Sequence, residues 1–404
     1  MIRLAWRNIW RNRRRSLITI ASVFAAVFLT VVTMSYSNGT WGKMIDNMLH
    51  TQAGHIEIHQ KGYWSNKVMD NFMTMDNETI TLLRETENIE SVAPRIEIFA
   101  LAAAEKITKG VAITGIDPVE ENKKSRLAKR LVEGDYLDSN DTGILIGKKL
   151  SEYLRVKPGD SLALIGQGYH GATAVGLFPI RGIVSLITPD MDRNMLYMTV
   201  RSAQDFIDMP DGYSGMLIAL NDGNQLKATM RAVEEKTDSS VYEVLPWTIT
   251  MDRLLKQKES DQAFSKIILV ILYLIVGFGI LGTVLMMTNE RRREFGMMIA
   301  LGMQRRKLWH TVATELLLMS FIGAAAALIV CIPLVWYFHI HPVSLSGEMA
   351  AMMNAYGMEP VLPMDASPSL FISQVFIVLI ITCITLAYPI RVIRTLNTSQ
   401  SIRL

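Results

Sequence analysis

Four stretches of this 404-residue chain are almost free of charge, and each is long enough to cross a membrane. A helix needs about 20 apolar residues to span the hydrocarbon core. Leu17 to Ser35 is the first, followed by Ile267 to Asn289, Thr311 to Phe338 and Leu370 to Ile390. The first run is longer than the apolar core of a signal peptide and lacks a closing A-x-A site, so it reads as an uncleaved anchor. Residues 43–266, between the first two spans, have the composition of ordinary soluble protein. This pattern excludes a single soluble domain and an all-helical transporter core. Cys331 and Cys383 both fall inside apolar runs, which excludes a disulfide scaffold. A formal net charge of +3, with localised basic residues, argues against a nucleic-acid partner.

Orientation follows from Lys and Arg placement. Arg3, Arg7, Arg11, Arg13, Arg14 and Arg15 precede the first span. Arg291, Arg292, Arg293, Arg305, Arg306 and Lys307 lie between the second and third, and Arg391, Arg394 and Arg403 follow the fourth. Ile340 to Ser369 has no Lys or Arg. All the basic clusters share one side if both termini are cytoplasmic. The expected fold class is therefore a membrane protein with four transmembrane α-helices and one large α+β extracytoplasmic (periplasmic) domain inserted between spans 1 and 2. The plan is a cytoplasmic amphipathic helix over 1–16, span 1 over 17–37, the domain over 38–266, and span 2 over 267–289. A cytoplasmic loop over 290–310, span 3 over 311–338, a periplasmic loop over 339–369, span 4 over 370–390 and a cytoplasmic tail over 391–404 complete it. In the first helix, Ile2, Trp6, Ile9 and Trp10 share one face and Arg3, Arg7, Arg11 and Arg14 another, as in a helix lying on the inner leaflet.

The soluble segment mixes β and helical patterns. His55 to His59 alternates with period two, as a half-buried strand does. Val92 to Ala103, Val111 to Gly115, Ser161 to Ile165 and Ile180 to Ile187 also read as strands. Thr79 to Glu87, Gly147 to Leu154, Ser202 to Met209 and Leu226 to Glu235 read as helices, giving a mixed α+β class. Charges crowd between Val119 and Arg130, which marks a candidate subdomain boundary.

Most candidate chemistry fails on spacing. Gly143 to Lys149 has two glycines before Lys148, but a phosphate loop needs four intervening residues and a Ser or Thr after the Lys. The chain thus shows no ATPase motif and is not expected to be an enzyme. His55, Glu57 and His59 would share a strand face, which reads as solvated, with zinc or copper binding as the alternative. His339 and His341 read as interfacial polar residues. Met349, Met352, Met353, Met358 and Met364 read as an amphipathic segment near the outer membrane surface. No metal or cofactor is expected on this chain. Glu315, the only acid within a span, is expected to pair locally with Arg305, Arg306 or Lys307. Gly277, Gly279 and Gly282 would allow close helix approach, including at a dimer seam.

The loop after span 2 is the most specific local signal. It runs NERRREFG from Asn289 to Gly296, ALG from Ala300 to Gly302, then Arg305, Arg306 and Lys307. This resembles the loop of FtsX-like/MacB-like permeases, E-R-x-x-E-[IF]-G, then A-[LV]-G, then a basic pair. The tail from Ala387 to Arg394 (AYPIRVIR), the end at Ile402, Arg403 and Leu404, and the opening from Ala5 to Arg13 resemble the same family at matching places. Gly115 to Pro118, Gly143 to Gly147 and Val156 to Asp160 are similar to Lol-type lipoprotein-releasing permeases. The Met-rich stretch before span 4 is longer than in several relatives.

The resemblance implies a permease dimer, homomeric or heteromeric, on a dimer of separate ABC ATPases, in the bacterial inner membrane. ATP and Mg would be bound by that partner alone. Nucleotide-driven motion would enter through the loop and pass to the external domain. In the Lol-type case it would lift a lipoprotein from the membrane lipid and hand it to a periplasmic carrier. The alternatives are MacB-like efflux of peptides, toxins or drugs, and FtsX-like signalling to cell-wall hydrolases. The loop residues carried over are Glu290, Arg291, Arg292, Arg293, Glu294, Phe295, Met298, Leu301, Gly302, Arg305 and Arg306. Phe295, Met298 and Leu301 recur at three-residue spacing, an apolar stripe suited to a groove. The flanking arginines would grip acidic rims or headgroups, and Gly302 would end the helix in the left-handed conformation.

Overall fold

The computed structural model describes residues 2–11, 13–355 and 361–395. Met358, Ile402, Arg403 and Leu404 lie outside the described residues. The chain opens with helices α1 (Ile2–Arg11) and α2 (Arg13–Thr51). Then come β1 (Ile56–Gln60), β2 (Met73–Thr74), α3 (Asn77–Arg84), β3 (Ile89–Ala104), β4 (Ile107–Ile116) and α4 (Pro118–Ser125). Next are β5 (Leu131–Gly134), β6 (Ile144–Gly147), α5 (Lys148–Leu154), β7 (Ser161–Gln167) and β8 (Thr173–Val184). They are followed by α6 (Pro189–Asn194), β9 (Met195–Thr199), α7 (Val200–Ile207), β10 (Gly212–Tyr213) and β11 (Gly215–Leu220). After α8 (Leu226–Lys236), β12 (Tyr242–Pro246) and α9 (Trp247–Thr250) comes the long α10 (Asp252–Glu290). The rest is α11 (Arg292–Ala300), α12 (Arg305–Ile340), β13 (Val343–Ser344), α13 (Glu348–Ala355), β14 (Val361–Leu362), α14 (Pro368–Thr385) and α15 (Ala387–Thr395).

The described residues fall into two compact units. One draws on 1–43, 257–344 and 361–404, the other on 44–256 with 345–360. In the helical unit, four helices are long and apolar enough to cross a membrane. At 1.5 Å per residue, the 39 residues of α2 and of α10 make helices of about 58 Å, roughly twice the hydrocarbon core. Both extend well beyond the apolar stretches, because charged residues lower hydropathy without breaking a helix. The fourth apolar stretch ends differently: α14 stops at Thr385, and α15 carries Ile390 and the basic residues Arg391 and Arg394.

Val23, Val27, Val31, Val284, Met319, Ala327 and Val378 are buried in one cluster of this unit. Gly323 permits a close helix approach there. A Cβ on it would stand 2.7 Å from the carbonyl oxygen of Ile20 and 2.9 Å from Val23. The N-terminal helix differs from expectation. It ends at Arg11, so Arg13, Arg14 and Arg15 already belong to α2. Its apolar face also divides: Ala5 and Ile9 are buried in the unit, whereas Trp6 and Trp10 are exposed and pack edge to face. A helix at the edge of a unit has only one side against its neighbours, and the small Ala5 allows the close contact that Trp would block.

The other unit is built on a ten-stranded sheet of order β12-β1-β11-β3-β4-β9-β6-β8-β5, with β7 pairing β3 and β8. The pairs β4–β9 and β6–β8 are parallel and the others antiparallel. The sheet runs without interruption past the candidate boundary near 119–130. Those residues form α4 and a short 3-10 turn, with Asp117 capping α4 and Pro118 in its first turn. Glu121 and Lys124 are buried there, so the charge crowding marks an internal ionic cluster and no linker. The 16-residue β3 places Val92 in one core cluster and Ile96 and Ile98 in another.

Candidate functional site

The segment joining α10 to α12 holds most of the residues singled out from sequence, but the structure sorts them differently. Phe295 is only 1% exposed and belongs to the buried cluster of the helical unit. Met298 is half-buried against that cluster. Leu301 is 89% exposed. The expected Phe295–Met298–Leu301 stripe is therefore not one surface. The apolar side chains presented outward are Met297 and Leu301, one helical turn apart. Sequence reasoning missed Met297, although a four-residue spacing from Leu301 was there to find it.

The arginines divide in the same way. Arg292, Arg293, Arg305, Arg306 and Lys307 are exposed, and Arg305 donates to the carbonyl of Arg394. Arg291 is buried. Its guanidinium donates to Glu315 Oε1 and Oε2 at 3.2 and 2.9 Å, and its Nε lies 3.3 Å from Glu294. Asn8 Nδ2 donates to Glu315 Oε2 at 3.4 Å, and Arg11 pairs with Glu294 at 3.1 Å. Arg15 pairs with Glu290. Glu315 is fully buried, and its partner is Arg291, not Arg305, Arg306 or Lys307. The three nearer cations stand on exposed turns, and a carboxylate without solvent takes the buried guanidinium that can reach both oxygens. Arg291 also lies 5.5 Å from the centre of the Phe295 ring.

Gly302 ends α11 as expected. Its φ is +94°, and Met303 N–H donates to the Met298 carbonyl while Gly302 N–H donates to Ile299. This double bond pattern is a Schellman cap, which needs the left-handed residue that only glycine adopts freely. It projects Leu301 outward beside the exposed basic residues of α12.

The other sequence candidates separate clearly. A Cβ on Gly277 would make an ordinary 3.5 Å contact with Ile381, whereas Gly279 and Gly282 face open space. Gly323 is a close-packing glycine between helices that sequence reasoning passed over. His55, Glu57 and His59 do not make a solvated strand face. Glu57 and His59 are buried, with His59 Nε2 3.1 Å from Glu57 and Nδ1 2.8 Å from the Ser214 carbonyl. No cluster of three or more His, Cys, Asp or Glu positioned for a metal occurs among the described residues. His339 Nδ1 lies 2.6 Å from the Met364 carbonyl. Met349 and Met352 are exposed on α13. At the rejected phosphate loop, the N-terminus of α5 is occupied from within: Asp192 accepts from Lys148 N–H and Lys149 N–H at 3.0 and 3.2 Å.

Comparison with known proteins decides the family. Residues 16–236, more than half of the chain, match the MacB-like periplasmic core domain. Residues 266–398 match the FtsX-like permease C-terminal region. The chain belongs to the FtsX-like and MacB-like family of ABC transporter permeases. This permease is 23% identical over 332 residues to the lipoprotein-releasing system transmembrane protein LolC of Neisseria meningitidis, covering 80% of the chain and 77% of LolC. It is 22% identical to the pyoverdine export ATP-binding/permease protein PvdT of Pseudomonas fluorescens, covering 88% of the chain and 54% of PvdT. It is 20% identical to the macrolide export ATP-binding/permease protein MacB of Campylobacter jejuni, covering 93% of the chain and 58% of MacB.

Proposed function

We propose that this permease receives the work of a separate ATPase dimer on its α10–α12 connection and uses it to release lipoproteins from the outer leaflet of the bacterial inner membrane to a periplasmic carrier. In this reading both termini are cytoplasmic, the β-sheet unit is periplasmic, and a second permease subunit completes the transporter. Nucleotide and Mg belong to the ATPase partner. The observation that carries the reading is Leu301, 89% exposed on a glycine-capped turn among Arg292, Arg293, Arg305 and Arg306. An exposed large apolar side chain with exposed cations before and after it in the chain suits a groove with an acidic rim. The similarity to LolC over 77% of that protein supports lipoprotein as the substrate class. The similarity to PvdT and MacB supports a second reading, export of a small molecule or peptide by the same coupling.

Leu301→Asp tests the coupling. Because Leu301 is solvent-facing, the variant is expected to insert and fold normally. Co-purification with the cognate ATPase and transport-linked ATP turnover in liposomes should fall at least about tenfold, the cost of one apolar anchor. Full association and turnover would remove the loop from the mechanism. Phe295→Asp makes a poor probe of docking, since it places a charge in the helical core. Depletion of the permease should strand outer-membrane lipoproteins at the inner membrane. Normal lipoprotein sorting with lost export of a small molecule would favour the second reading. A cysteine at the exposed Ser139 should react with a membrane-impermeant thiol reagent from the periplasm, and labelling only after lysis would invert the topology.

A further inference from the structure

The β-sheet unit contains a cavity of about 330 Å³ that has no part in the coupling loop. Its wall includes Gln52, Ala53, Thr250 and Met251, the residues that directly follow α2 and directly precede α10. Tyr63 and Trp64 supply aromatic surface, with Lys67 Nζ 3.6 Å from the centre of the Trp64 ring. Glu57, His59, Arg95 and Glu97 bring charge.

Two features make this more than a packing defect. Three buried side-chain polar atoms lack a hydrogen-bond partner among the described residues, and two of them, Arg95 Nε and Thr250 Oγ1, belong to residues of this wall. A buried polar atom without a partner is costly, and such atoms are rare in folded proteins. Both orphans can donate a hydrogen bond. The second feature is the pair of cations, Arg95 and Lys67, on this wall. The Ser214 carbonyl can only accept, so His59 Nδ1 carries a hydrogen, and Nε2 then faces Glu57 Oε2 at 3.1 Å. Behind the wall, Glu121 and Lys124 offset each other. Arg95 and Lys67 bring positive charge to this wall, with Arg95 3.9 Å from Glu97.

We propose that the cavity binds an oxyanion, a phosphate or carboxylate oxygen, held by Arg95 Nε–H and the Thr250 hydroxyl with Lys67 at its side, and that Tyr63 and Trp64 cover the attached apolar group. The remaining guanidinium nitrogens of Arg95 are engaged already: they donate to the Gln52 carbonyl, to the Thr51 carbonyl at 3.5 Å, and to Glu121 at 2.8 Å. The same side chain that would hold the ligand therefore caps the C-terminal end of α2. An anion on Nε would tie that helix end to Thr250, the last residue of α9, just before α10. The site serves binding only, and it does not depend on which substrate the permease carries. Its ligand can come from a free small anion or from a lipid headgroup.

The test uses the full-length permease in detergent, with intrinsic tryptophan fluorescence read at constant ionic strength. One arm titrates inorganic phosphate, the other dihexanoyl phosphatidylglycerol below its micelle concentration. A saturable change with phosphate identifies a free-anion site, and one seen only with the short-chain lipid identifies a headgroup site; either supports the proposal. The change should vanish in Trp64→Phe. In Thr250→Val affinity should fall about tenfold, the worth of a hydrogen bond to an ionised group, while thermal stability stays level or rises because a buried orphan hydroxyl is gone. No saturable change with either probe overturns the proposal and leaves a water-filled cavity. So does undiminished affinity in Thr250→Val, or a signal that persists in Trp64→Phe.

Discussion

Each unit of this permease buries a carboxylate against an arginine, and the two arrangements differ in balance. In the helical unit, Glu315 takes both oxygens to Arg291 and a third contact to Asn8, while Glu294 pairs with Arg291 and Arg11, so two acids meet two bases. In the sheet unit, Glu121 lies 2.8 Å from Arg95 and 3.9 Å from Lys124, so two cations share one buried acid. The surplus has visible consequences there. Burial, and then the charge of Arg95, pushes the Lys124 amine down to about 8 against the pull of Glu121. Arg95 keeps one nitrogen unpaired beside a cavity. A balanced pair in an apolar surrounding acts as a fixed tie. An unbalanced cluster near a cavity is open to a further anion.

The comparison breaks first at Glu315. Glu315→Ala leaves Arg291 buried without its counter-charge, and stability should fall by about 3–5 kcal/mol. The Arg291→Met/Glu315→Met double variant should recover most of that loss. Thermal unfolding in detergent measures both, and a double variant as weak as the single one would deny that the pair acts as a unit. Arg95→Met should cost less, about 2–3 kcal/mol, because Glu121 keeps Lys124 as a second cation. An equal or larger loss would mean that Lys124 gives no compensation.

Lys124→Met sharpens the contrast by changing sign. The folded amine titrates at about 8, below the ordinary lysine value of 10.5, so the unfolded chain binds more protons between those values. Stability of the parent therefore rises with pH across that window, and the burden of the buried charge is complete below pH 8. The variant should be more stable than the parent at pH 7 by on the order of 2 kcal/mol, with the gap closing above pH 10. Urea unfolding at the two pH values checks it, and a destabilised variant at pH 7 would show that the cluster needs both cations. Smallest is Gly302→Val, which forces a branched residue to φ +94°. It should cost about 1–2 kcal/mol and weaken ATPase association while Arg291 stays paired. Unchanged association in co-purification would show that the cap does not position Leu301.

Much of this fold was legible without coordinates. The apolar spans, the presence of a strand at Ile56–Gln60 and the glycine cap at Gly302 all rest on interactions between residues a few positions apart. Phe295 was misplaced for the same reason. A three-residue spacing defines a face of α11 but does not reveal what covers that face, and the cluster that buries Phe295 draws on Leu308, Val312 and Leu316 from the next helix. The charges near Lys124 looked like a subdomain boundary because hydropathy counts each charge as exposed. Partners from other elements removed these charges from solvent: Arg95 for Glu121, and the Ala53 carbonyl for Lys124.

By itself, then, the sequence determined four membrane-length helices and an α+β segment, since hydropathy and periodicity are sums over neighbours in the chain. Tertiary structure alone decided which arginine neutralises Glu315 and which glycine lets helices touch. Arg291 prevails over three cations closer in sequence because it is buried within reach of both carboxylate oxygens. Gly323 meets Ile20 and Val23 while Gly279 and Gly282 face open space. Ion pairing and close approach depend on distances of about 3 Å between residues far apart in the chain, and no local pattern encodes such distances.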